Sequence, residues 1–431
     1  MSIHPSDILF YAGGAALRQF GTLSRRTTGI ARRGEGVIEN FARTGTAYFM
    51  GKDGLYHASE EDVFRPHWVD ADGDGILDTL TLLLEDEREN ELLLSSDFGP
   101  GPPYTWSSPG NFIITSRTSI IDGQTAYEHE RDGGSSRIQS VGTFTGDDET
   151  CYLIVENVDA SVTRLRIYDA TGASYVAGAL LTWSTGAITL YEGTGAVFGA
   201  KLLNEGPNGG EVYLFGVTCS GTVGHTRHVY VQPVGDNNSV SAILHHCQLE
   251  EAGFYSSPIV TDTAAVTRNA EALSLPLWTP PRAMTIYAKL REVGSTLISN
   301  WPRVCQIGGS GNNASVRIWA RLGYYTMNIR NSGGSSTQSA MTTAPSFDDI
   351  VELRGTLSSD GSVQLHQSIN VGDESSGPAS GALALDSVWG GHSLYINYEG
   401  VAGNNVGHQQ LEALIVAPGS QSLSDFRALL P

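Results

Sequence analysis

Four aspartates within nine consecutive residues have the types and spacing of calcium ligands; they are Asp70, Asp72, Asp74 and Asp78. Calcium takes about six to eight oxygen ligands, and the pattern D-x-D-x-D-G-x-x-D places carboxylates on one side of a tight turn. An EF-hand loop ends in a glutamate where this chain has Thr81. A complete site therefore requires another ligand, such as Glu85 or Glu60. The alternative is an acidic hairpin turn without metal, because aspartate and glycine are common turn residues.

His245, His246 and Cys247 are a second group of metal-ligating residue types. Successive side chains of a strand point to opposite faces, so only His245 and Cys247 could meet one metal ion, and two ligands are too few. We therefore expect a packing or interface role. The cysteines lack C-x-x-C spacing, which predicts buried free thiols and leaves one disulfide open. They are Cys151, Cys219, Cys247 and Cys305.

Several aromatic residues are candidates for glycan contact, because sugar rings stack on aromatic side chains while polar groups bind the hydroxyls. Core packing is the alternative for each of them. Tyr324 and Tyr325 are adjacent, so on a strand one ring lies on each face and at least one reaches solvent or a partner chain. The candidates are Trp106, Trp319, Tyr324, Tyr325 and Tyr395, with Tyr104 and Tyr398 in addition.

Residue patterns typical of enzymes are lacking in the sequence. It contains no G-x-S-x-G elbow, H-E-x-x-H helix or glycine-rich phosphate loop. Glycoside hydrolysis needs a pair of carboxylates that project into a groove. The acidic runs at residues 85–91 and 147–149 are instead interpreted as solvated faces and turns. We expect no catalytic residues and predict that the protein is not an enzyme.

The secondary structure that carries these residues is predicted to be mostly β-strand. The chain has 431 residues, of which 40% are hydrophobic, 17% are charged and 51 are glycine, which favours short strands and tight turns. The length suggests two or three domains. The net charge of −20 argues against a nucleic-acid partner. Without a long apolar run or a recognisable signal peptide, we expect a soluble protein that neither inserts into a membrane nor uses the usual export signal.

Two series of candidate strands follow one another along the chain. Nine candidates between residues 95 and 260 are separated by turn clusters, as is typical of a sandwich or jelly roll. Residues 269–281 contain three prolines and are interpreted as a connector, because proline is excluded from central strands. Eight candidates follow, and residues 420–430 are predicted to form a short helix with a serine cap. The inner faces of the second series are assigned to Ile286, Val316, Ile318, Leu353, Val363 and Leu365.

The first 40 residues are the locally basic part of this acidic chain. Arginine binds carboxylates through paired hydrogen bonds, which predicts an arm that docks on an acidic neighbouring subunit. A loosely ordered terminus is the alternative. Residues 41–94 alternate short apolar runs with turn residues, which predicts a hairpin-rich segment. The docking candidates are Arg25, Arg26, Arg32 and Arg33.

Two segments at the ends of the first strand series resemble the motifs that open and close a jelly roll in a family of bacteriophage virion proteins. The opening motif L-x-E-x-x-R-x-N matches Leu83, Glu85, Arg88 and Asn90. The closing motif Q-L-E-x-G matches Gln248, Leu249, Glu250 and Gly253. The chain departs from the family at Glu91, which interrupts an apolar run, and at Gly253, which comes one residue late. Residues 41–68 also resemble the segment that precedes this domain in the family.

The second strand series resembles the concanavalin-like laminin-G sandwich, through its T-I-Y-A-K, V-E-L-R-G-T-L and V-Q-L-H segments and the turn Ser359-Asp360-Gly361. Together the resemblances imply an all-β protein with two β-sandwich (jelly-roll) domains preceded by an N-terminal arm and a hairpin-rich segment. The implied boundaries are 1–40 for the arm, 41–94 for the hairpin segment, 95–268 for a carbohydrate-binding-like jelly roll and 269–431 for the laminin-G-like sandwich.

The resemblance to virion proteins also implies a function. We expect a structural component of a bacteriophage particle, assembled in the host cytoplasm, that decorates capsid or tail as a fibre, spike or decoration protein. Its expected partners are other virion proteins and copies of itself in a homotrimer or another symmetric oligomer, since sandwich edges are poorly protected in a monomer. Host-glycan binding is a second expected role. The alternatives are a polysaccharide depolymerase acting on the host surface and a secreted carbohydrate-binding module.

Overall fold

The computed structural model describes residues 8–11, 40–42, 45–60, 65–70, 76–77, 79–85, 87–99, 106–107, 111–132, 137–143, 148–235, 239–269, 271–278, 283–291, 303–308, 314–321, 323–346, 349–384, 392–396 and 409–428. The described residues form strands and one short helix, which confirms the all-β prediction. No helix among them is long and apolar enough to span a membrane.

The strands are numbered in chain order. The first seven are β1 (Ile8–Tyr11), β2 (Asn40–Ala42), β3 (Ala47–Met50), β4 (Tyr56–Ser59), β5 (Pro66–Val69), β6 (Thr79–Leu84) and β7 (Arg88–Asn90). The next twelve are β8 (Trp106–Ser107), β9 (Asn111–Thr118), β10 (Thr125–Asp132), β11 (Arg137–Thr143), β12 (Asp148–Asn157), β13 (Val162–Asp169), β14 (Ser174–Thr182), β15 (Ala187–Gly193), β16 (Ala196–Leu203), β17 (Val212–Ser220), β18 (Thr226–Val234) and β19 (Ser239–Glu250). The last are β20 (Val266–Arg268), β21 (Ala272–Trp278), β22 (Met284–Arg291), β23 (Arg303–Gly308), β24 (Ser315–Arg321), β25 (Tyr324–Arg330), β26 (Ser336–Ala340), β27 (Ile350–Leu357), β28 (Val363–Ile369), β29 (Ser375–Ser376), β30 (His392–Ile396) and β31 (Gln409–Pro418), followed by helix α1 (Leu423–Arg427).

The first sandwich packs two antiparallel six-stranded sheets against each other. One, the β12 sheet, has the order β16-β17-β12-β19-β10-β9, and the other, the β13 sheet, has the order β15-β14-β13-β18-β11-β8. Strand β13 alternates buried with partly exposed residues along its length, because successive side chains point to opposite faces of a sheet. Its inward side chains, Leu165 and Ile167, join Leu153, Val155 and Phe215 of the β12 sheet in one core.

The second sandwich is formed by two larger sheets. The β22 sheet has the order β29-β28-β27-β22-β31-β6-β5, with β1 also paired to β31, and the β24 sheet has the order β2-β21-β30-β23-β24-β25-β26. The inner-face residues predicted from alternation are confirmed. All six lie in the core between the sheets; they are Ile286, Val316, Ile318, Leu353, Val363 and Leu365.

Strands from the start of the chain complete the second sandwich. Strand β6 pairs with β31 and strand β2 pairs with β21, so the first sandwich is inserted between segments of the second. The β3–β4 hairpin instead covers the outer face of the β12 sheet, where Met50 and Tyr56 pack with Tyr152 and Ile154. Residues 41–94 therefore divide between the two sandwiches.

Several predicted elements differ from those observed. Residues 269–281 are not only a connector, because β21 runs through Pro276; the register with β30 shifts between Leu275 and Trp278, and such irregularities accommodate proline. The apolar run at residues 91–94, at the end of the predicted hairpin-rich segment, does not form a strand; its last two residues begin a turn, with a positive φ at Leu94. Helix α1 is confirmed, and Ser422 caps it through a reciprocal capping box with Asp425.

Candidate functional site

The segments that carry the opening and closing motifs meet in a buried polar network. Glu85, at the end of β6, lies 2.6 Å from Arg65 Nη2 and 2.7 Å from Arg268 Nη1. It also accepts hydrogen bonds from the backbone N–H and the hydroxyl of Ser257, at 2.5 and 2.6 Å. Glu271 accepts from Arg65 Nε at 2.8 Å. The four charged side chains are fully buried, so each charge depends on its partners.

The remaining motif residues extend this network. Asn90 donates from Nδ2 to the carbonyl of Ile259 at 2.8 Å, and its Oδ1 accepts from the N–H of Leu249 at 3.3 Å. Gln248 Oε1 accepts from the N–H of Ile259 at 2.7 Å. Burial raises the pKa of Glu250, although Arg88, whose Nε lies 3.4 Å from Oε2, opposes that shift. The opening and closing motifs therefore connect the segment that enters the first sandwich with the segment that follows its last strand.

The interpretation of the acidic runs as solvated faces is wrong at two positions. Glu85 is buried in the network, and Glu149 is buried against Arg227 Nε, which lies 2.9 Å from Oε1 and 2.8 Å from Oε2. Burial and Glu149 also raise the pKa of the neighbouring Cys219 to about 12. Glu149 can be buried because it pairs with Arg227, which lies 78 positions later in the sequence. The charges of the neighbouring residues in the sequence do not reveal such a partner.

The predicted calcium site is only partly within the described residues. Asp70 lies in them, and its backbone carbonyl accepts from Arg291 Nη2 at 3.0 Å. Asp72, Asp74 and Asp78 lie outside them. Glu85 is not available as the additional ligand, because its carboxylate is held by two arginines and Ser257. Within the described ranges, no group of three or more His, Cys, Asp or Glu residues could hold a metal ion. Calcium binding stays a prediction.

The two histidines are buried in the first sandwich together with three of the cysteines, and Cys305 lies in the core of the second sandwich. His245 Nε2 contacts Glu156 Oε2 at 3.2 Å, and His246 Nδ1 contacts Ser96 Oγ at 2.9 Å. Burial lowers the pKa of His246 to about 4. The packing role predicted for these histidines is confirmed, as are the free thiols, since all four cysteines are unpaired and buried.

The glycan-contact candidates occupy different environments. Tyr325 is fully buried and Tyr324 is 40% exposed, as their adjacency on a strand predicts. Trp319 is 7% exposed and lies beneath the guanidinium of Arg303, whose Cζ is 4.7 Å from the ring centroid. The prediction of glycan contact is corrected for Tyr325 and Trp319, because neither leaves a ring face at the surface for a sugar.

The side chains of the other predicted glycan-contact and docking residues lie outside the described part of the structure. Strands β8 and β30 contain Trp106 and Tyr395, but their side chains lie outside the described part of the chain. The docking arginines, together with Tyr104 and Tyr398, lie outside the described residues altogether; the arginines are Arg25, Arg26, Arg32 and Arg33.

A cluster that sequence reasoning missed lies on the β13 sheet, on the face that points away from the core. The register places Tyr168 opposite His228 and Arg166 opposite Tyr230 on β18, and Tyr168 opposite Tyr175 on β14. We call this set the tyrosine face. Its members are Arg164, Arg166, Tyr168, Tyr175, Tyr191 and Tyr230, with Glu192, His228 and Gln232 beside them.

Three tyrosines of this face pack edge to face around one arginine. The centroid of Tyr168 lies 5.1 Å from that of Tyr175 and 5.9 Å from that of Tyr230, at interplanar angles of 68° and 73°. Arg166 Cζ lies 4.9 Å from the Tyr175 ring and 5.4 Å from the Tyr230 ring. Its guanidinium also donates to Tyr175 Oη at 3.3 Å and to Gln232 Oε1 at 3.4 Å. Cation–π contacts of this kind hold the guanidinium in a defined orientation.

A second arginine and tyrosine repeat this arrangement on the same face. Arg164 Cζ lies 4.5 Å from the ring centroid of Tyr191. Tyr191 is 39% exposed and Tyr175 is 37% exposed, so both rings present surface to solvent. Burial, together with Tyr175 and Tyr168, raises the pKa of Tyr230, so its hydroxyl keeps its proton at neutral pH. The face thus combines open aromatic rings with fixed cations and polar atoms, which suits stacking and hydrogen bonding to a ligand.

No protein-family model matches the chain, and no curated protein matches its sequence. Among solved structures, the chain is similar to domains LG4-5 of the mouse laminin alpha1 chain, with 9% sequence identity and a TM-score of 0.23, over 68% of this chain and 90% of that chain. The assignment of the fold as an all-β double sandwich rests on the sheets themselves.

Proposed function

We propose that the protein is a structural component of a bacteriophage particle that decorates capsid or tail and binds glycan of the host surface through the tyrosine face. The observation that carries glycan binding is the pair of exposed rings, Tyr175 and Tyr191, each beside an arginine on an ordered sheet. Sites on regular strands are more precise than sites on loops, because the backbone fixes the spacing of the side chains.

The virion role is supported by the buried network. The residues of the two motifs that resemble phage virion proteins contact each other across the chain, and the hydrogen bond from Leu249 to Asn90 spans 159 positions. These residues therefore act as one unit, as expected if they are signature positions of a shared domain.

A binding role fits the tyrosine face better than hydrolysis does. Among the side chains described on this face, Glu192 is the one carboxylate, whereas glycoside hydrolysis uses two. The depolymerase alternative is tested by incubating the chain with host capsule and measuring the release of reducing sugar. We expect no release above that of a heat-treated sample.

The test of glycan binding is retention of the full chain on host cells and on polysaccharide extracted from them. The double variant Tyr175→Ala/Tyr191→Ala is predicted to lose most of the retention. The control is Ile113→Ala, which truncates an exposed apolar side chain on β9, in the other sheet of the first sandwich. Equal retention of the wild type and the double variant would contradict the assignment of glycan binding to the tyrosine face.

A further inference from the structure

We propose that the edge strand β9 pairs with β9 of a second copy of this chain, antiparallel and across a two-fold axis, so that the β12 sheets of two copies form one continuous sheet. Among the described strands, β9 pairs with β10 alone. The free side of an edge strand presents a row of backbone N–H and C=O groups that another strand can pair with. This contact goes beyond the proposed function, because it depends on neither a phage particle nor a glycan.

The other three edges of the first sandwich carry features that hinder such pairing. Strand β8 has two residues. The register of β15 against β14 shifts at Gly178, and the register of β16 against β17 shifts next to Lys201. Short strands, bulges and lysines protect sheet edges from pairing with other chains. Strand β9 has none of these features, because its eight residues pair with β10 in an unbroken register and include no lysine.

The side chain of Asn208 shows which backbone groups of β9 point out of the sheet. Its Oδ1 accepts from the N–H of Thr118 at 3.2 Å, and its Nδ2 donates to the carbonyl of Thr118 at 2.9 Å. In an antiparallel strand, the N–H and C=O of one residue point to the same side, and this side alternates along the strand. Ile114 and Ser116 therefore also turn these groups outward. Within the described part of the chain, their outward groups have no hydrogen-bond partner.

Asn208 also restricts the register in which a second strand can add. It occupies the backbone groups of Thr118, so an incoming strand has to pair with the residues before this one. A two-fold antiparallel register that spans the rest of β9 places Ile114 opposite the partner's Ile114. This register joins residues whose N–H and C=O groups point outward in both copies, as a ladder requires. It also places Ile113 opposite the partner's Thr115.

The side chains along this stretch suit contact between two copies. Ile113 is 59% exposed, and Ile114 is partly buried. Thr115 and Ser116 are exposed and uncharged. Two copies that each carry a net charge of −20 repel one another, so an uncharged edge is a place where they can approach closely. Pairing would also remove the exposed part of Ile113 from water.

Arg117 gives the two copies complementary charge in this register. It lies on the same face as Glu130 of the partner's β10, with about 12 Å between the α-carbons, which two long side chains can span. Its own Glu128 accepts from Nε at 2.8 Å and holds the arginine on this face. The two copies of Arg117 are six residues apart along the paired strands, or about 20 Å. Their repulsion is screened, because the Debye length is about 8 Å at physiological salt.

The experiment is sedimentation equilibrium of the full chain over a series of concentrations, with two charge variants at the same two exposed positions. Ile113→Lys/Thr115→Lys places like charges opposite each other twice in each dimer, whereas Ile113→Lys/Thr115→Glu places opposite charges there. We expect the wild type to dimerise. The dissociation constant should be about tenfold or more higher for the like-charge variant than for the opposite-charge variant, which corresponds to about 1.4 kcal/mol. Thermal unfolding checks that both variants are folded.

Two further variants control for the edge and for the side chain. Leu190→Lys adds a charge at a residue that is 42% exposed on β15, the edge of the other sheet, and should leave the dissociation constant unchanged. Ile113→Ala keeps the backbone hydrogen bonds and adds no charge, so it should remain a dimer. A wild type that is monomeric at every concentration would overturn the proposal. Equal dissociation constants for the two charge variants would also overturn it, as would a dimer that Leu190→Lys disrupts.

The dimer and the proposed function fail separately. Glycan retention is assigned to the tyrosine face of the β13 sheet, whereas β9 belongs to the β12 sheet. A monomeric chain that host polysaccharide retains would overturn the β9 contact and leave glycan binding in place. A dimer that responds to the charge variants but is not retained would support the contact and exclude the glycan-binding role.

Discussion

Glu85 accepts hydrogen bonds from both the backbone N–H and the hydroxyl of Ser257, a residue 172 positions later in the chain. The same carboxylate lies between Arg65 and Arg268, which are fully buried. The Glu85 side chain thus connects the end of β6, a strand of the second sandwich, to the segment that follows β19, the last strand of the first sandwich. Its role is to close the inserted domain and to neutralise two arginines that have no access to water.

Replacing this carboxylate by an amide should destabilise the protein strongly. In Glu85→Gln, Arg65 and Arg268 stay buried with one negative charge fewer, and removing one partner of a buried ion pair costs about 3 to 5 kcal/mol. The free energy of unfolding from urea titration measures the effect. Glu87→Gln is the control, since it removes the same charge from an exposed position two residues away and should change stability by less than about 0.5 kcal/mol. Similar losses in the two variants would contradict the structural role of Glu85.

Truncation of two adjacent tyrosines should lower the free energy of unfolding by very different amounts. Tyr325→Ala opens a cavity in the second core and should cost about 3 to 5 kcal/mol, as for other large buried aromatics. Tyr324→Ala removes a ring that is 40% exposed and should cost less than about 1 kcal/mol. Thermal or urea unfolding of the two variants compares them directly. A larger loss for Tyr324→Ala would mean that β25 presents the opposite face to the core.

His246 should make stability depend on pH in the acidic range. Burial lowers its pKa in the folded protein to about 4, below the ordinary value of 6.5. Because the unfolded chain binds the proton first, the stability contributed by neutral His246 is fully present above about pH 6.5 and is lost as the pH falls to about 4. The two pKa values correspond to about 3 kcal/mol at most.

The variant His246→Gln removes this titration. Its free energy of unfolding, measured between pH 7 and pH 4, should fall less steeply than that of the wild type. Parallel curves of unfolding free energy against pH for the wild type and His246→Gln would show that His246 is not the titrating group.

How far the sequence predicts this fold depends on the strand. Alternation identifies β13, where buried and partly exposed residues alternate throughout, and β18, where they alternate from Thr226 to Val231. It misses β10, whose sequence TAYEHERD is largely polar, and β14, whose sequence SYVAGALLT contains small residues of low strand propensity. Both are held by pairing with two neighbouring strands, which is information that a local pattern does not contain.

The tyrosine face could have been found only in part. Alternation along TRLRIYD places Arg164, Arg166 and Tyr168 on one face, and this signal is present in the sequence. The meeting of Tyr168 with Tyr175 and Tyr230 depends on strand order and register, which one sequence does not specify. The motifs predicted that their two segments bound one domain, but not that Glu85 would be paired with Arg65 and Arg268.

Quantitative mass spectrometry of bacteriophage particles purified by density gradient tests the proposed role of this chain as a particle component. We expect the chain to band with the particles, in a copy number that matches a symmetric oligomer on capsid or tail. The matched measurement is the molar mass of the purified chain by light scattering, which should give the same oligomer. If the chain is found only in the soluble fraction and is a monomer there, it is not a component of the particle.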